Sequence, residues 1–210
     1  MNNIWNKVYS DDSAFFGEGP SNFAKKCYEY FIQNKVKKIL ELGCGQGRDS
    51  IFFSLNNLEV YVVDSSIVAI EGIQKFNENN YQTINVKCID VRQGLPFEDN
   101  NFDAVYSHMF YNMNFTNEEL DFLFQESNRV LKTNGLLYFS VRSDNDTLFQ
   151  TGLEVNEDIY EINGFQIRFF SREQIESLLS SFNFKIDKIL SSIEEPADLY
   201  LVFSHKYNTN

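Results

Sequence analysis

KVKKILELGCGQGRDS, running from Lys35 to Ser50, decides the fold: an apolar run through Ile39, Leu40 and Leu42 stops against three glycines at alternate positions, Gly43, Gly45 and Gly47. A buried parallel strand that feeds a helix through a tight turn has this form. Glycines there leave bare backbone at a helix start, where a ligand can approach closely. The spacing argues against two phosphate sites. A dinucleotide fingerprint would need glycine where Arg48 stands, and no Gly-Lys-Ser/Thr follows for a phosphate loop. An adenosine-bearing cofactor without a pyrophosphate is the occupant that remains. Asp64, 17 residues beyond Gly47, closes the next strand, where a carboxylate can accept both hydrogens of a ribose diol. Asp90 closes the one after it.

Outward from this turn, short buried runs alternate with longer amphipathic stretches. That order predicts an α/β, Rossmann-like chain with a seven-stranded, mostly parallel sheet and helices on both faces. A helix over Pro20 to Gln33 precedes the first strand, with Phe23, Ala24, Cys27, Tyr28, Phe31 and Ile32 at helical spacing. The first strand is placed at Lys35 to Leu42. After the turn come a helix at Asp49 to Leu55, a strand at Leu58 to Val63 and a helix capped by Ser65 and Ser66 that runs to about Asn77. Strands follow at Thr83 to Ile89 and, past a loop at Gln93 to Asn101, at Phe102 to Ser107. A helix at Asn117 to Leu131, stopped by Asn134-Gly135, leads to a fifth strand at Leu136 to Val141. A helix at Ser171 to Ser180 precedes two strands, Asn183 to Leu190 and Leu199 to His205. Their Glu-Glu-Pro connection is short enough for a hairpin, which makes the last strand antiparallel. No internal boundary is placed. Residues 1–210 are read as one domain: 1–19 as an N-terminal lid or simple packing, 20–142 as the cofactor-binding core, and 143–210 as a substrate-side loop with the last two strands.

Composition narrows the partners. With 18 Lys+Arg against 30 Asp+Glu the formal charge is −12, which disfavours nucleic acid and anionic membrane as partners. The longest apolar run, Leu199 to Phe203, is far short of a membrane span. MNNIWNKVYSDD has neither a basic start nor an apolar stretch, so no secretory leader is expected. Cys27, Cys44 and Cys88 have no C-x-x-C spacing, so neither a disulfide framework nor a metal site is expected, and the cytoplasm is the simplest compartment. Asn77 to Asn80 and the Asn-Thr-Asn tail are expected to be solvated. A monomer or weak homodimer is expected.

Taken with Cys88-Ile89-Asp90-Val91, LPFEDNNFDAVYS (Leu95 to Ser107) and NRVLKTNGLLYFSV, the glycine turn resembles that of class I S-adenosylmethionine-dependent methyltransferases. WNKVYSDDSAFFGEGPSNFAKK, the GQGRDS variant of the loop and FQIRFFSREQIESLL are similar to the small-molecule branch related to tellurite-resistance methyltransferases. The resemblance implies methyl transfer from S-adenosylmethionine to a small acceptor, leaving S-adenosylhomocysteine. It also implies roles for residues. The Gly43, Gly45 and Gly47 backbone faces the methionine portion and ribose, with Cys44 the small residue between glycines and Glu41 supporting the loop. Asp64, with Ser65 beside it, holds the ribose hydroxyls. Asp90 accepts from the adenine amino group and the Val91 amide donates to the ring. The Ser107 carbonyl faces the cofactor ammonium.

Methyl transfer from a sulfonium is chiefly a matter of alignment, so few catalytic side chains are expected. If the acceptor carries a proton, His108 is the candidate base, because it follows Ser107 and titrates near neutrality; a packed structural histidine is the competing reading. Tyr9 and Phe16 ahead of the first helix, Tyr111 after the fourth strand, and Arg142 and Arg168 are candidates for the acceptor pocket, with core packing or surface pairing as the plainer reading of each. Arg48 is a candidate partner of the cofactor carboxylate. A cofactor-binding module that only regulates a partner, and a nicotinamide-dependent Rossmann oxidoreductase, are the alternatives. Base methylation of nucleic acid is disfavoured because Ser107-His108-Met109-Phe110 stands where the Asn/Asp-Pro-Pro-aromatic signature would be.

Overall fold

The computed structural model describes residues 4–207. Its ten strands are β1 (Lys38–Leu42), β2 (Glu59–Asp64), β3 (Ile84–Cys88), β4 (Phe102–His108), β5 (Leu131–Arg142), β6 (Leu153–Asn156), β7 (Ile159–Ile162), β8 (Phe165–Arg168), β9 (Phe184–Glu194) and β10 (Ala197–Lys206). The helices are α1 (Ile4–Asp11), α2 (Asn22–Gln33), α3 (Arg48–Leu55), α4 (Ile67–Asn80), α5 (Asn117–Val130) and α6 (Arg172–Ser181). Seven strands form one sheet in the order β3-β2-β1-β4-β5-β10-β9. β1 pairs parallel with β2 and β4, and β10 runs antiparallel to β5 and β9. The strand order reverses between β1 and β4, and a ligand crevice opens above the carboxyl ends at such a point.

Strand alternation divides the core between the two faces. Leu40, Val105, Leu137 and Phe139 pack under α5 and α6 through Leu123, Phe124, Ile175 and Leu179. Ile39, Ala104, Tyr106 and Tyr138 pack under α2, α3 and α4 through Phe23, Phe31, Phe53 and Ile73. Phe23 stacks on Tyr106 at 5.4 Å, and each buried ring of this kind contributes about 1.5–3 kcal/mol. Caps fix the helix starts: Ser21, Ser66, Thr116 and Ser171 each accept a backbone N–H of the first turn, and the last two complete capping boxes with Glu119 and Gln174.

Several boundaries depart from the expectations. β1 starts at Lys38, because Lys35 takes a left-handed φ of 56° that ends the α2 connection. β5 starts at Leu131 rather than Leu136: Leu131 is buried and pairs with Phe102, and an irregularity between Phe102 and Ala104 absorbs the extra residues around Asn134. The region after β5 is not only loop. β6, β7 and β8 form a separate antiparallel sheet, with the β7–β8 turn made by Asn163 and Gly164 at φ 52° and 83°. Two positive φ values in succession define the turn type that Asn-Gly favours. The opening segment forms α1, whereas residues 1–3 and the Asn-Thr-Asn tail lie outside the described residues. No helix among the described residues is long and apolar enough to cross a membrane.

Candidate active site

The glycine loop and the end of β2 are built as one unit. The amides of Gly43 and Cys44 donate to the Val63 carbonyl at 2.9 and 3.3 Å, and the Gly45 amide donates to Asp64 Oδ2 at 2.8 Å. Asp64 Oδ1 accepts from the Ser66 amide at 2.8 Å. Ser65 is exposed beside it. Burial raises the Asp64 pKa above the usual carboxylate range, against the pull of the Ser66 and Gly45 amides. Gly43, Gly45 and Gly47 have φ of 67°, 51° and 83°. A Cβ on them would lie 2.2 Å from the Phe110 ring, 2.5 Å from Tyr9 Oη and 2.6 Å from Ile73 Cγ1, so glycine is required by conformation and by space alike.

Beneath the loop is a buried acid pair. Asp49 accepts from the Ser21 amide at 2.7 Å, the Ser21 hydroxyl at 2.8 Å and the Tyr106 hydroxyl at 2.6 Å. Glu41, 3% exposed at the end of β1, accepts from the Ser50 hydroxyl. Burial and then the Asp49 charge push its carboxyl well above the usual range. Cys44 is buried as a small apolar residue.

The N-terminal segment folds over the loop. Tyr9 is buried against Gly45, and burial followed by the Asp64 charge raises its phenol pKa. Asn6 Oδ1 accepts from the Ser66 hydroxyl, and Gln46 bridges the Phe16 amide and the Gly17 carbonyl. Arg48 donates to the Phe16 carbonyl and lies 5.9 Å from its ring, so this guanidinium holds the covering segment. A cleft of about 380 Å³ opens between α1 and α4, lined by Tyr9, Gln46, Ala69, Gly72 and Lys75 among others. Trp5 carries the cover across to β8, with its ring 5.4 Å from Phe165.

At the end of β3, Asp90 caps the short 3-10 turn Val91–Gln93 and accepts from Arg92 Nε at 2.9 and 3.1 Å. Burial opposes ionisation there, but the Arg92 hydrogen bonds outweigh it and hold Asp90 below the usual range. A ligand amino group would share this carboxylate with Arg92. At the end of β4, the buried Ser107 hydroxyl has no hydrogen-bond partner. His108 points to the opposite face, 5.9 Å from the Phe23 ring. The Met109 amide donates to Ser140 Oγ at 3.0 Å, His108 Nδ1 shares a hydrogen bond of 2.7 Å with the same hydroxyl, and Nε2 meets Glu194 at 3.5 Å. Both nitrogens are engaged, which makes His108 a strut between β4, β5 and β9. Met109 follows at φ 55°, a left-handed value uncommon for an unbranched apolar side chain.

Among the acceptor candidates, Tyr111 needs correction. It is fully buried, stacks on Phe124 at 4.6 Å and shares a hydrogen bond of 2.9 Å with Ser127, so it belongs to the core beneath α5 rather than to a pocket wall. Phe16 lies on the rim, 37% exposed. Arg142 is buried and paired with Asp146 at 2.8 Å. Arg168 is buried with no carboxylate within 4.0 Å among the described residues, and donates to the Phe115 carbonyl at 2.9 Å. Asn112, Ser140 and Glu194, absent from the sequence-derived candidates, complete this side. No group of three or more His, Cys, Asp or Glu among the described residues could hold a metal ion.

The site fits an adenosyl cofactor on three counts: a backbone cradle closed to any Cβ, a carboxylate at the end of β2, and a hydroxyl at the end of β4 with no partner among the described residues. Residues 39–135 match the methyltransferase domain family. Over that stretch the chain is similar to methyltransferase domains, and its seven-stranded sheet is the fold of solved structures described as S-adenosylmethionine-dependent methyltransferases. A curated relative, the biotin biosynthesis bifunctional protein BioHC of Saccharophagus degradans, is 31% identical over 120 residues, which are 57% of this chain and 21% of that protein. The chain thus spans about a fifth of the length of the curated relative it matches. A S-adenosylmethionine-dependent methyltransferase from Clostridium acetobutylicum superposes with a TM-score of 0.77 at 14% identity, covering 98% of this chain and 100% of that one. TehB from Haemophilus influenzae superposes at 0.66 and 16% identity, covering 87% and 62%. At these identities the two structures speak for the fold.

Proposed function

We propose that the chain transfers a methyl group from S-adenosylmethionine to a small-molecule acceptor, with S-adenosylhomocysteine as the other product. When bound, the cofactor supplies a methyl carbon on a positively charged sulfur: an acceptor lone pair forms the new bond while the sulfur–carbon pair returns to sulfur. The protein's part is to grip, align and exclude water. The Gly43, Gly45 and Gly47 backbone cradles the methionine and ribose portions. Asp64 accepts the ribose hydroxyls, with Ser65 flanking it. Asp90 and the Val91 amide meet adenine once Arg92 shares its partner. Glu41 holds the loop from below, and Ser107 lines the methyl side. Tyr9, Phe16 and Arg48 form the N-terminal cover that closes the site.

The observation that carries this reading is the joint between Gly45 and Asp64, which makes the cradle and the ribose-binding acid rigid with respect to each other. Arg48, standing where a dinucleotide fold places glycine, disfavours the oxidoreductase alternative. A regulatory module would share every feature of the grip but would not turn over. Labelled S-adenosylmethionine offered with thiol, oxyanion and amine acceptors separates the two. Enzyme-dependent transfer of label supports the proposal, and tight binding without transfer to any acceptor supports the module. The unpaired cysteines, of which Cys27 and Cys44 are buried, suit a reducing cytoplasm.

A further inference from the structure

The proposed reaction leaves the acceptor's chemistry open, and one buried cluster above β4 and β5 speaks to it. Arg168 is 4% exposed, and its Nε has no hydrogen-bond partner among the described residues. Asn112 is fully buried, and neither its Oδ1 nor its Nδ2 has one. The two residues are adjacent, since the Arg168 amide donates to the Asn112 carbonyl at 2.8 Å. An unpaired buried cation and an unsatisfied buried amide both destabilise a fold unless a partner arrives. Burial lowers the Arg168 pKa, with Asp158 and Glu157 only partly offsetting it.

Position ties this cluster to the methyl-transfer site. The Phe110 ring lies on Gly43, Phe110 packs on Phe115 at 5.2 Å, and the Phe115 carbonyl accepts from Arg168. A continuous run of contacts through Phe110 and Phe115 therefore links the cradle to the guanidinium. Arg142, the other buried arginine nearby, already has Asp146 as its counter-ion and offers no net charge. The unpartnered Nε–H of Arg168 is a charged donor that suits a carboxylate oxygen, and the Asn112 amide adds a further donor beside it.

We infer that the methyl acceptor is a small carboxylic acid, held by its carboxylate on Arg168 and Asn112. This rests on the methyl-transfer reading of the site, and the test keeps the two apart. Calorimetry with S-adenosylhomocysteine alone reports the cofactor reading. The product-loaded and the ligand-free protein are then each melted with acetate, glycolate, benzoate and salicylate, each beside its primary amide, and with sulfate and phosphate. The expected result is stabilisation by acids over their amides and over the inorganic anions, with affinity lost about tenfold to a hundredfold in Arg168→Gln. Arg168→Lys, which keeps the charge and loses the Nε–H donor, is expected to weaken the acids about tenfold and stands in if Arg168→Gln does not fold. Asn112→Leu is expected to melt no lower than the parent, because it removes an unsatisfied buried amide, and yet to bind acids more weakly. Acids no better than amides, equal stabilisation by sulfate or phosphate, an acid preference that survives both Arg168 variants, or an Asn112→Leu protein melting several degrees lower would each overturn the inference.

Discussion

Replacing Gly45 with alanine tests whether the N-terminal helix rests on the glycine loop. Gly45 has φ of 51°, and a left-handed conformation costs an L-residue about 1–2 kcal/mol. The new Cβ would also lie 2.5 Å from Tyr9 Oη, so α1 must lift by about 1 Å or Tyr9 must leave its buried place, which is worth about 1–2 kcal/mol more. Gly45→Ala is thus expected to lose about 2–4 kcal/mol, or roughly 5–15 °C in Tm for a chain of this size. Deleting the hydroxyl leaves Tyr9 Cζ as the nearest atom at 3.2 Å, a shortfall that a small ring movement absorbs. Tyr9→Phe should therefore rescue about 1 kcal/mol or more of the Gly45→Ala loss in a double-mutant cycle measured by urea unfolding. Hydrogen exchange across residues 4–11 should rise in Gly45→Ala and fall back in the double variant. Additive effects, with α1 equally protected in all four proteins, would refute the placement of Tyr9 on the loop.

Asp64→Asn turns one acceptor into a donor facing either the Gly45 or the Ser66 amide, and should weaken S-adenosylhomocysteine binding by about 1–3 kcal/mol in calorimetry; unchanged affinity would remove Asp64 from the ribose role. His108→Ala should lower stability and leave the pH profile of methyl transfer in place, since both ring nitrogens already hold Ser140 and Glu194; loss of the acid limb of that profile would instead make His108 the base. Glu126 accepts from Arg129 and from the Leu95 amide, and the Arg129 hydrogen bonds, with burial opposing, hold its folded pKa below the usual 4.5. Its contribution is then fully present above 4.5 and lost as pH falls below it. Glu126→Gln should cost about 1.5–3 kcal/mol at pH 7, a gap that narrows in unfolding experiments as the pH is taken below 4.5.

What could be read from the residues, and what could not, follows from how local each signal is. β1, the glycine loop and Asp64 were legible because a central parallel strand must be apolar throughout and its turn must be glycine. The sheet β6–β8 has one local signal, Asn163-Gly164 between the alternating runs IYEI and FQIR; β6 is exposed throughout, so it carries no apolar pattern of its own. Ile4, Trp5, Val8 and Tyr9 have the spacing of α1, but eight residues are too few to stand on periodicity alone. The sequence neighbours of Tyr111 point to a pocket wall, whereas the turn after β4 carries it down onto Phe124. Nothing in the sequence marks Asn112 as buried or separates Arg168 from Arg142. That distinction depends on Asp146 pairing with one and no carboxylate reaching the other, which only the packed chain decides.

The central claim is that the crevice above β1 and β2 grips an adenosyl sulfonium. Isothermal titration of ligand-stripped protein with S-adenosylmethionine, its homocysteine product and NAD tests it most directly. Saturable binding of the first two and none of the third is the predicted result. Tight binding of NAD with no heat from either S-adenosyl compound would contradict it.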